Sequence, residues 1–406
     1  MKILHINQSD ISGGAGIAGY RLHQSLLDRG IDSRLLVGKT KLKSDRVAKV
    51  RRKRRWENQL FRLSSRLGLN YLNLISSFDI PKHEFYQNAD LLNFHNLHSG
   101  YFNYLAVPKL TEHKPAVFTL HDMWSFTGHC AYSYSCDRWK QGCGQCPDLN
   151  TYPAVKRDNT DWEWKLKDWV YSRSNLAIVT LSSWLTKQVQ QSMLSRFPIH
   201  QIPNGIDIEA YQPIDSEKCR YILGIPNNKK VLMFGAANIE DFRKGGDLLV
   251  EALSKLPESL KTETILLTLG YGGESIANTV GIETIDLGYI SSDRLKAIAY
   301  SAADLFIFPT RADNLPLVLQ ESMACGTPMV SFKVGGVPDL VRHDVTGYLA
   351  IPEDSNDFCQ GIIQLLEDEQ LRTKMKQNCR DIALKEYSLK LQAQKYLEIY
   401  QKYCFS

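Results

Sequence analysis

Residues 309–328 read PTRADNLPLVLQESMACGTP, and they follow the short apolar segment Asp304–Phe308. Their order predicts a buried strand, a loop, a short helix over Leu317–Cys325 and a tight turn into the strand Pro328–Phe332. Glu321 falls inside the otherwise apolar helix, where a carboxylate is costly to bury unless it is paired or bound. We interpret Glu321 as a ligand contact, for which vicinal ribose hydroxyls are natural partners. The alternative is that Glu321 faces solvent.

The same alternation of apolar strands and helical segments extends through the whole chain. It predicts an α/β protein with parallel sheets covered by helices on both faces. The predicted strands are Lys2–Asn7, Arg34–Val37, Asp90–His95, Ala116–His121, Leu176–Leu181, His200–Pro203, Lys230–Phe234, Thr264–Leu269, Thr284–Leu287, Asp304–Phe308 and Pro328–Phe332.

A chain of 406 residues is too long for one ordinary core, and turn-forming residues cluster at 203–213. We therefore expect a first domain over 1–202, a second over 203–386, and a C-terminal helix over 387–406 that returns to the first domain. Both domains are expected to be doubly wound and Rossmann-like. Ligands of such sheets bind at the carboxyl ends of the strands, so we expect the two domains to face a central cleft.

A glycine-rich segment, SGGAGIAG at residues 12–19, follows the first predicted strand and opens a helix. Small residues let the backbone approach a ligand, and a helix N-terminus favours negative charge, which makes Gly13 and Gly14 candidate contacts. The alternative is a flexible connector. Residues 14–19 also match the dinucleotide pattern GxGxxG, and Asp32 has about the spacing of its ribose-binding acid, which suggests an NAD(P)-dependent oxidoreductase. We favour that function less because residues 8–13 separate the predicted strand from the first matching glycine.

A second charged motif, DFRKGG at residues 241–246, lies between the first strand and first helix of the second predicted domain. Two adjacent cations followed by two glycines at a helix start would suit a diphosphate. Lys244 would act as a point charge, whereas Arg243 can bind two oxygens at once. A plain surface turn is the alternative.

Four of the nine cysteines lie within 17 residues, inside a predicted insert over 122–150 of the first domain. They are Cys130, Cys136, Cys143 and Cys146. The final CxxC, flanked by glycine and proline, is typical of a metal knuckle, so we predict a structural zinc site. Unligated thiols and a disulfide are the alternatives, and a reducing compartment disfavours the disulfide.

Basic residues concentrate between Lys39 and Arg55, although the net charge is only +5. Apolar residues at 56, 60, 63 and 67 then recur at helical spacing, so a basic cluster meets an amphipathic segment. We expect residues 39–67 to contact an anionic membrane surface; a solvated loop is the alternative. No zinc-finger spacing or aromatic–basic ribbon indicates nucleic-acid binding. The N-terminal segment lacks the pattern of a signal peptide, so we expect a cytoplasmic chain, peripheral on the inner face of the membrane.

Together these motifs resemble those of glycosyltransferase family 4, whose members have the GT-B fold. The resemblance covers nearly the whole chain. Its carriers are Gly13-Gly14, Thr119-Leu120-His121-Asp122, Pro203-Asn204-Gly205-Ile206-Asp207, Arg243-Lys244-Gly245, the block from Asp313 to Pro328, Gly335-Gly336-Val337-Pro338-Asp339 and Gly347-Tyr348-Leu349. It implies a retaining glycosyltransferase that moves a sugar from a UDP- or GDP-sugar to a glycan or lipid-linked acceptor, in surface polysaccharide biosynthesis.

The resemblance also implies roles for residues of the second domain. Lys244, helped by Arg243, would hold the donor diphosphate, and Glu321 would hold the donor ribose. Asp313 occupies the first acidic position of the family's E-x7-E motif, where most members have Glu. With the amides around Asn314 and Leu315, it would contact the donor sugar.

In the first domain, the resemblance places Gly14 against the phosphate and His121 beside the reacting sugar. The candidate catalytic residues are thus His121, Lys244, Asp313 and Glu321, and catalysis is expected to need no metal ion. One departure from the family is Phe234-Gly235-Ala236-Ala237, where many members have an arginine after the glycine. Arg243 would compensate for the missing cation.

Three other functions remain as alternatives. They are the NAD(P)-dependent oxidoreductase, a catalytically inactive, zinc-stabilised sugar-binding protein, and a nucleotide-sugar epimerase of the same architecture. The block from Asp313 to Pro328 favours the transferase or the epimerase over the oxidoreductase. The presence of His121, Lys244 and Glu321 argues against an inactive protein.

Overall fold

The structure is a computed structural model that describes residues 1–277 and 279–404. By its internal contacts the chain divides into two compact units. The first unit holds residues 1–203 together with the described residues from Gln392 onward, and the second holds Asn204–Leu391. Each unit contains one parallel β-sheet.

The first unit is built on a seven-stranded sheet of order β3-β2-β1-β4-β5-β6-β7. Its strands are β1 (Lys2–Ser9), β2 (Asp32–Lys39), β3 (Val47–Lys49), β4 (Leu91–Phe94), β5 (Ala116–Leu120), β6 (Ala177–Thr180) and β7 (Ile199–Gln201). Its helices are α1 (Gly13–Leu27), α2 (Arg54–Arg66), α3 (Glu84–Asn88), α4 (Val107–Thr111), α5 (Thr160–Tyr171) and α6 (Ser183–Gln190).

The second unit is built on a six-stranded sheet of order β10-β9-β8-β11-β12-β13. Its strands are β8 (Lys230–Asn238), β9 (Thr264–Tyr271), β10 (Glu283–Asp286), β11 (Leu305–Phe308), β12 (Met329–Phe332) and β13 (Gly347–Ala350). The helices that follow Asn204 are α7 (Ser216–Leu223), α8 (Gly246–Ser254), α9 (Glu258–Glu263), α10 (Gly273–Ala277), α11 (Asp293–Ala302), α12 (Leu317–Ala324), α13 (Ser355–Glu367), α14 (Glu369–Glu386) and α15 (Leu389–Cys404).

Alternate residues of the first sheet enter two different apolar clusters, as period-two geometry requires of a sheet covered on both faces. Leu4, Leu92 and Phe118 pack into one cluster, which also contains the buried rings of Trp124 and Trp139. A second cluster takes up the neighbouring strand residues and the inner face of α15, and its members are Ile3, Leu22, Leu26, Leu91, Val117, Ala177, Val179, Ile202, Ala393, Tyr396, Ile399 and Tyr400.

The strand order reverses between β1 and β4 in the first sheet and between β8 and β11 in the second. At such a switch point the connections leave the sheet in opposite directions, which opens a crevice at the carboxyl ends of the strands. The loops after β1, β4 and β5, and those after β8, β11 and β12, thus carry the candidate functional residues. None of the described helices combines the length and apolar character needed to cross a bilayer.

The observed strands differ from the expected ones in two informative places. The short strands β3 and β13 lie at sheet edges and were not expected, because three or four residues are too few to display a period. Strand β1 extends to Ser9, so only residues 10–12 separate it from α1. The gap used above to argue against a dinucleotide turn is therefore shorter than the sequence suggested.

The packing of α15 leads to a stability prediction. Tyr396 is fully buried, and its hydroxyl lies 3.0 Å from Oγ1 of Thr119. Replacing Tyr396 with alanine should cost about 3–5 kcal/mol in the free energy of unfolding, as large aromatic deletions do. Urea unfolding should show this loss, and the exposed neighbour Gln394→Ala should change the unfolding free energy by no more than about 0.5 kcal/mol. Equal effects of the two substitutions would contradict the packing of α15.

Candidate active site

A partly buried ion-pair cluster lies at the carboxyl end of β11. Nζ of Lys244 lies 2.6 Å from Oδ2 of Asp313, and Nη1 of Arg243 lies 3.0 Å from the same oxygen. Asp313 is only 8% exposed. The structure thus brings together the two predicted cations and the first predicted acid, which belong to loops that follow β8 and β11.

The protonation states follow from burial and from the neighbouring charges. Burial by itself raises the pKa of Asp313, but the charges of Lys244 and Arg243 and their hydrogen bonds outweigh it and hold the pKa below its usual range. Burial and the charge of Arg243 lower the pKa of Lys244, against the opposing effect of Asp313. At neutral pH the carboxylate is therefore ionised.

Two glycines allow these loops to approach each other. Gly245 has a positive φ of 71°, and a Cβ atom there would overlap the carbonyl oxygen of Pro309. Gly335, with φ of 52°, lies in the same way against the carbonyl oxygen of Asp313. The amide of Gly336 donates to that oxygen at 3.0 Å. Side chains at these glycines would separate the loops that hold the cluster.

Glu321 belongs to a second polar group, on α12. Its side chain is buried, with the whole residue 4% exposed, so the alternative that Glu321 faces solvent is wrong. Oε1 lies 3.2 Å from Nζ of Lys296, and Oε2 accepts a hydrogen bond from the hydroxyl of Tyr300 at 3.3 Å. The helix α11 supplies both partners. They provide the opposite charge and the hydrogen bond that a buried carboxylate requires.

The predicted sugar-contacting residues Asn314 and Leu315 are both buried between Asp313 and α12. The amide of Asn314 donates to Oδ1 of Asp313 at 3.2 Å, so it helps to fix that carboxylate.

The loop segment Asp207–Glu209 is a turn, as the turn-forming residues at 203–213 predict. Oδ1 of Asp207 accepts hydrogen bonds from the amides of Glu209 and Ala210, each at 3.0 Å.

Arg311 is a structural residue of this site that the sequence did not reveal. Its guanidinium makes two hydrogen bonds to Asp247, at 2.7 and 2.6 Å, and lies 3.1 Å from Glu353. It also stacks over the ring of Phe242, 3.9 Å from the centroid. These contacts brace the turn that carries Arg243. The partners lie far apart in the chain, so no local pattern could have identified them.

In the first unit, α1 begins at Gly13, which has a φ of 71°. A Cβ atom on Gly16 would overlap the side chain of Ser9, and one on Gly19 would crowd the side chain of Asn7. A Cβ atom on Gly14 would meet no described atom within 4 Å. The later glycines therefore serve the close packing of α1 on β1. Gly14, in the first turn of α1, has open space around it.

Asp32 does not fit the role of a ribose-binding acid. It is the first residue of β2, paired with Lys2 at the amino ends of the strands, and so lies at the edge of the sheet opposite to the glycine loop. Its carboxylate lies 2.7 Å from Nη1 of Arg46 and 3.4 Å from Nε of Arg34. The match to the dinucleotide pattern therefore lacks its acidic partner.

His121 follows β5 and belongs to a row of histidines. Its Nε2 lies 3.1 Å from Nδ1 of His95, whose Nε2 lies 3.0 Å from Nδ1 of His5. Burial lowers the pKa of His121 to about 4. Next to it, Asp122 lies 2.8 Å from Nε2 of His98. The sequence motifs identified His121 as a candidate, but they did not identify His5 as a member of this row.

The four clustered cysteines line one small cavity of about 20 Å³, together with His129. None of them forms a disulfide. Burial raises the pKa of Cys130 to about 12 and that of Cys143 to about 11. Among the described residues, no three His, Cys, Asp or Glu side chains are arranged to hold a metal ion. The predicted zinc site at Cys130, Cys136, Cys143 and Cys146 is therefore not supported. The four cysteines are close in the sequence, but their sulfur atoms do not point toward one common position.

The ion-pair cluster leads to a prediction for Asp313→Asn. The substitution leaves Lys244 and Arg243 without their carboxylate and should destabilise the second unit by about 3–5 kcal/mol at pH 7. Because the folded pKa of Asp313 is depressed, its contribution is present above the unfolded value of about 4 and is lost as the pH falls through the folded value. Urea unfolding from pH 7 to pH 3 should show the two proteins converging.

The control for this experiment is Glu258→Gln, which removes one member of the exposed pair with Lys261. Its free energy of unfolding should stay within about 0.5 kcal/mol of wild type at both pH values. A difference between wild type and Asp313→Asn that does not change with pH would contradict the ionised cluster.

Comparison with known proteins relates this chain to a family. Residues 12–210 match the model of Glycosyltransferase Family 4, and residues 215–382 match the model of Glycosyl transferases group 1. The glycosyl transferase WcaC of Escherichia coli K12, provisionally named for colanic acid biosynthesis, is 28% identical over 354 residues, which are 82% of this chain and 83% of WcaC.

Two solved structures illustrate the fold. Sucrose-phosphate synthase from Thermosynechococcus elongatus is 16% identical, with a TM-score of 0.72 and coverage of 99% of both chains. HepE of Anabaena, solved in complex with UDP, is 19% identical, with a TM-score of 0.67 and coverage of 99% of this chain and 100% of HepE. These similarities confirm the predicted α/β GT-B fold. The two family models together span most of the sequence, and the chain belongs to the group 1 glycosyltransferases of family 4.

Proposed function

We propose that the chain is a retaining glycosyltransferase that moves a hexose from a UDP- or GDP-sugar to a glycan or lipid-linked acceptor in surface polysaccharide biosynthesis. The observation that carries this proposal is the partly buried cluster of Lys244, Arg243 and Asp313 at the switch point of the second sheet. The UDP bound in HepE and the name of WcaC support a nucleotide-sugar donor and a polysaccharide product.

In the proposed reaction, the bond between the anomeric carbon and the diphosphate breaks, and its electron pair stays on the departing oxygen. Lys244 and Arg243 stabilise the charge that develops there, because cations already held in place need little reorganisation. The acceptor oxygen attacks from the same face, and its proton passes to the departing phosphate. The transition state resembles an oxocarbenium ion, and neither an enzyme nucleophile nor a metal ion takes part in this proposal.

The same residues also have binding roles in the proposal. A diphosphate brings its own negative charge to Lys244 and Arg243 and would release the carboxylate of Asp313 for hydroxyls of the donor sugar. Glu321, held by Lys296 and Tyr300, would accept hydrogen bonds from the ribose. In the first unit, the open backbone at Gly14 would approach the phosphate, and His121 would contact the reacting sugar.

The position of Asp32 speaks against the NAD(P)-dependent oxidoreductase. An acid that holds the adenosine ribose of NAD must lie at the carboxyl edge of the sheet. Asp32 lies at the amino edge and is held by Arg46. The ion-pair cluster in the second unit would have no role in that reaction.

Thermal unfolding with added ligands tests the donor site. One UDP- or GDP-sugar at about 100 times its dissociation constant should stabilise the wild type by roughly 2.7 kcal/mol. Glu321→Gln should lose much of this stabilisation, because the amide offers the ribose hydroxyls one uncharged acceptor oxygen in place of two charged ones. The exposed control Glu258→Gln should keep it. Stabilisation by NAD or NADP alone would contradict the proposal.

We also propose that the protein is cytoplasmic and that α2 binds it to an anionic membrane surface. The apolar side chains of this helix face outward: Trp56 is 66%, Phe61 56% and Leu63 61% exposed. Its inner side is polar instead. Glu57 is fully buried and accepts hydrogen bonds from the amide of Ser76 at 3.0 Å and from Nε of Arg52 at 2.6 Å.

This arrangement is the reverse of an ordinary surface helix, whose apolar side packs on the core. Exposed basic residues lie beside the apolar side chains, at Arg54, Arg55, Arg62 and Arg66. Lipid headgroups of negative charge complement such a surface, and each basic residue near the membrane contributes about 1 kcal/mol. An amphipathic helix of this composition typically lies in the membrane interface.

Cosedimentation with vesicles tests the surface. Vesicles with 30 mol% phosphatidylglycerol should bind the wild type, and raising the salt concentration should weaken the binding. The triple variant Trp56→Ala, Phe61→Ala, Leu63→Ala should lower the partition coefficient at least about tenfold, since each buried apolar side chain contributes on the order of 1.5–3 kcal/mol. Tyr221→Ala with Ile222→Ala removes two exposed apolar residues of α7 and should have no effect. Equal binding of the wild type and the triple variant would overturn the proposal.

A further inference from the structure

Three histidines from adjacent parallel strands form a continuous row. His5 lies in β1, His95 directly follows β4, and His121 directly follows β5, and these strands are neighbours in the sheet. The two nitrogen-to-nitrogen distances are 3.0 and 3.1 Å. The ring centroids of successive histidines lie 5.3 and 5.4 Å apart. Both distances between nitrogens are those of hydrogen bonds.

All three rings are neutral near pH 7. Burial lowers the pKa of His5 and of His95 well below the usual value, and it lowers that of His121 as well. Titratable groups beside the row, in the part of the chain that the structure describes, include His23, whose ring lies 6.2 Å from that of His5, and His98 and Asp122 at the opposite end. The negative charge of Asp122 raises the pKa of His121, but less than burial lowers it.

Neutral rings permit only two arrangements of protons along the row. A neutral imidazole carries one N–H and one lone pair, and each contact between nitrogens requires one of each. If His95 donates from Nδ1 to His121, its Nε2 must accept from Nδ1–H of His5. If His95 instead donates to His5, His121 must donate from Nε2. The protonation of one ring therefore determines that of the other two.

The far end of the row distinguishes the two arrangements. Nε2 of His5 is buried and has no hydrogen-bond partner among the described residues. When the row donates toward His121, this nitrogen carries only a lone pair. In the reverse arrangement it carries a buried N–H, and orphaned buried N–H groups are rarer than incompletely paired acceptors. The geometry thus favours donation toward His121.

We propose that His5 and His95 are positioning residues that hold His121 as the tautomer protonated on Nδ1. His121 then acts as a hydrogen-bond donor, and its ligand partner must be an acceptor, which we place in the donor sugar as a hydroxyl oxygen. It cannot serve as a general base, because its only lone pair accepts from His95. The identity of the ligand rests on the function proposed above, whereas the tautomer does not.

Nitrogen-15 NMR of the histidine side chains tests the tautomer directly and needs no substrate. The chain has ten histidines, and the signal of His121 can be assigned by its loss in His121→Gln. In the wild type, Nδ1 of His121 should show the shift of a protonated nitrogen and Nε2 that of an acceptor. A wild type with protonated Nε2, or with both nitrogens protonated at pH 7, would overturn the proposal.

Substitutions along the row separate positioning from general packing. His95→Leu and His5→Leu should shift His121 toward protonation on Nε2. His95→Asn should retain much of the wild-type signal because its amide can donate from nearly the position of Nδ1. His23→Gln, which changes a buried histidine next to the row, should leave the signal of His121 unchanged. An unchanged signal in both leucine variants would also overturn the proposal.

Ligand affinity provides the second readout. His95→Leu should weaken binding of the nucleotide-sugar by about five- to tenfold, the effect of losing one hydrogen bond, and should leave binding of the free nucleoside diphosphate unchanged. His95→Asn should restore most of the affinity. If no nucleotide-sugar binds the wild type while the tautomer is as expected, the proposed function fails and the positioning role stands. Equal weakening for both ligands would contradict a donor role toward the sugar.

Discussion

The second unit depends on one interaction, the pairing of the Asp313 carboxylate with Lys244 and Arg243. Charges removed from water are costly unless partners of good geometry surround them, so the loops that carry these residues must be held firmly. Two glycines permit the required approach of the backbones, at Gly245 and Gly335. Arg311 adds a brace from outside through Asp247 and Glu353. The cluster and the loops around it therefore form one structure, in which each part requires the others.

The parallel sheets explain why chemistry gathers where it does. All connections between parallel strands cross a face of the sheet, so every loop that follows a strand begins at the same edge. The second sheet brings Lys244, Asp313 and Gly335 to that edge from the ends of three strands. The first sheet brings Gly14, His95 and His121 to its own edge in the same way. Helix α15 covers one face of the first sheet. Its buried tyrosines form hydrogen bonds with Asn93 on β4 and Thr119 on β5.

The first unit also shows how the same amphipathic pattern can serve opposite purposes. Tyr396 and Tyr400 of α15 point inward and are part of the core. In α2, Trp56 and Leu63 are exposed, and the buried polar group of Glu57 and Arg52 anchors the helix instead. A period of 3.6 residues identifies an apolar stripe in both helices, but it contains no information about what covers that stripe.

Local patterns in the sequence determined the α/β class, the position of most strands and the choice of the main candidate site residues. Strand and helix periods depend on nearby residues, and the motifs that carry Lys244, Asp313 and Glu321 are each short enough to be read directly. Only the tertiary structure decided the pairing of Asp313 with Lys244, which are 69 residues apart, and the row that joins His5 to His95, which are 90 residues apart. It also placed Asp32 at the wrong edge for a ribose and left the four cysteines without metal-binding geometry. The physical reason is that side-chain partners and directions follow from strand order and packing, which bring distant segments together in ways that no local spacing records.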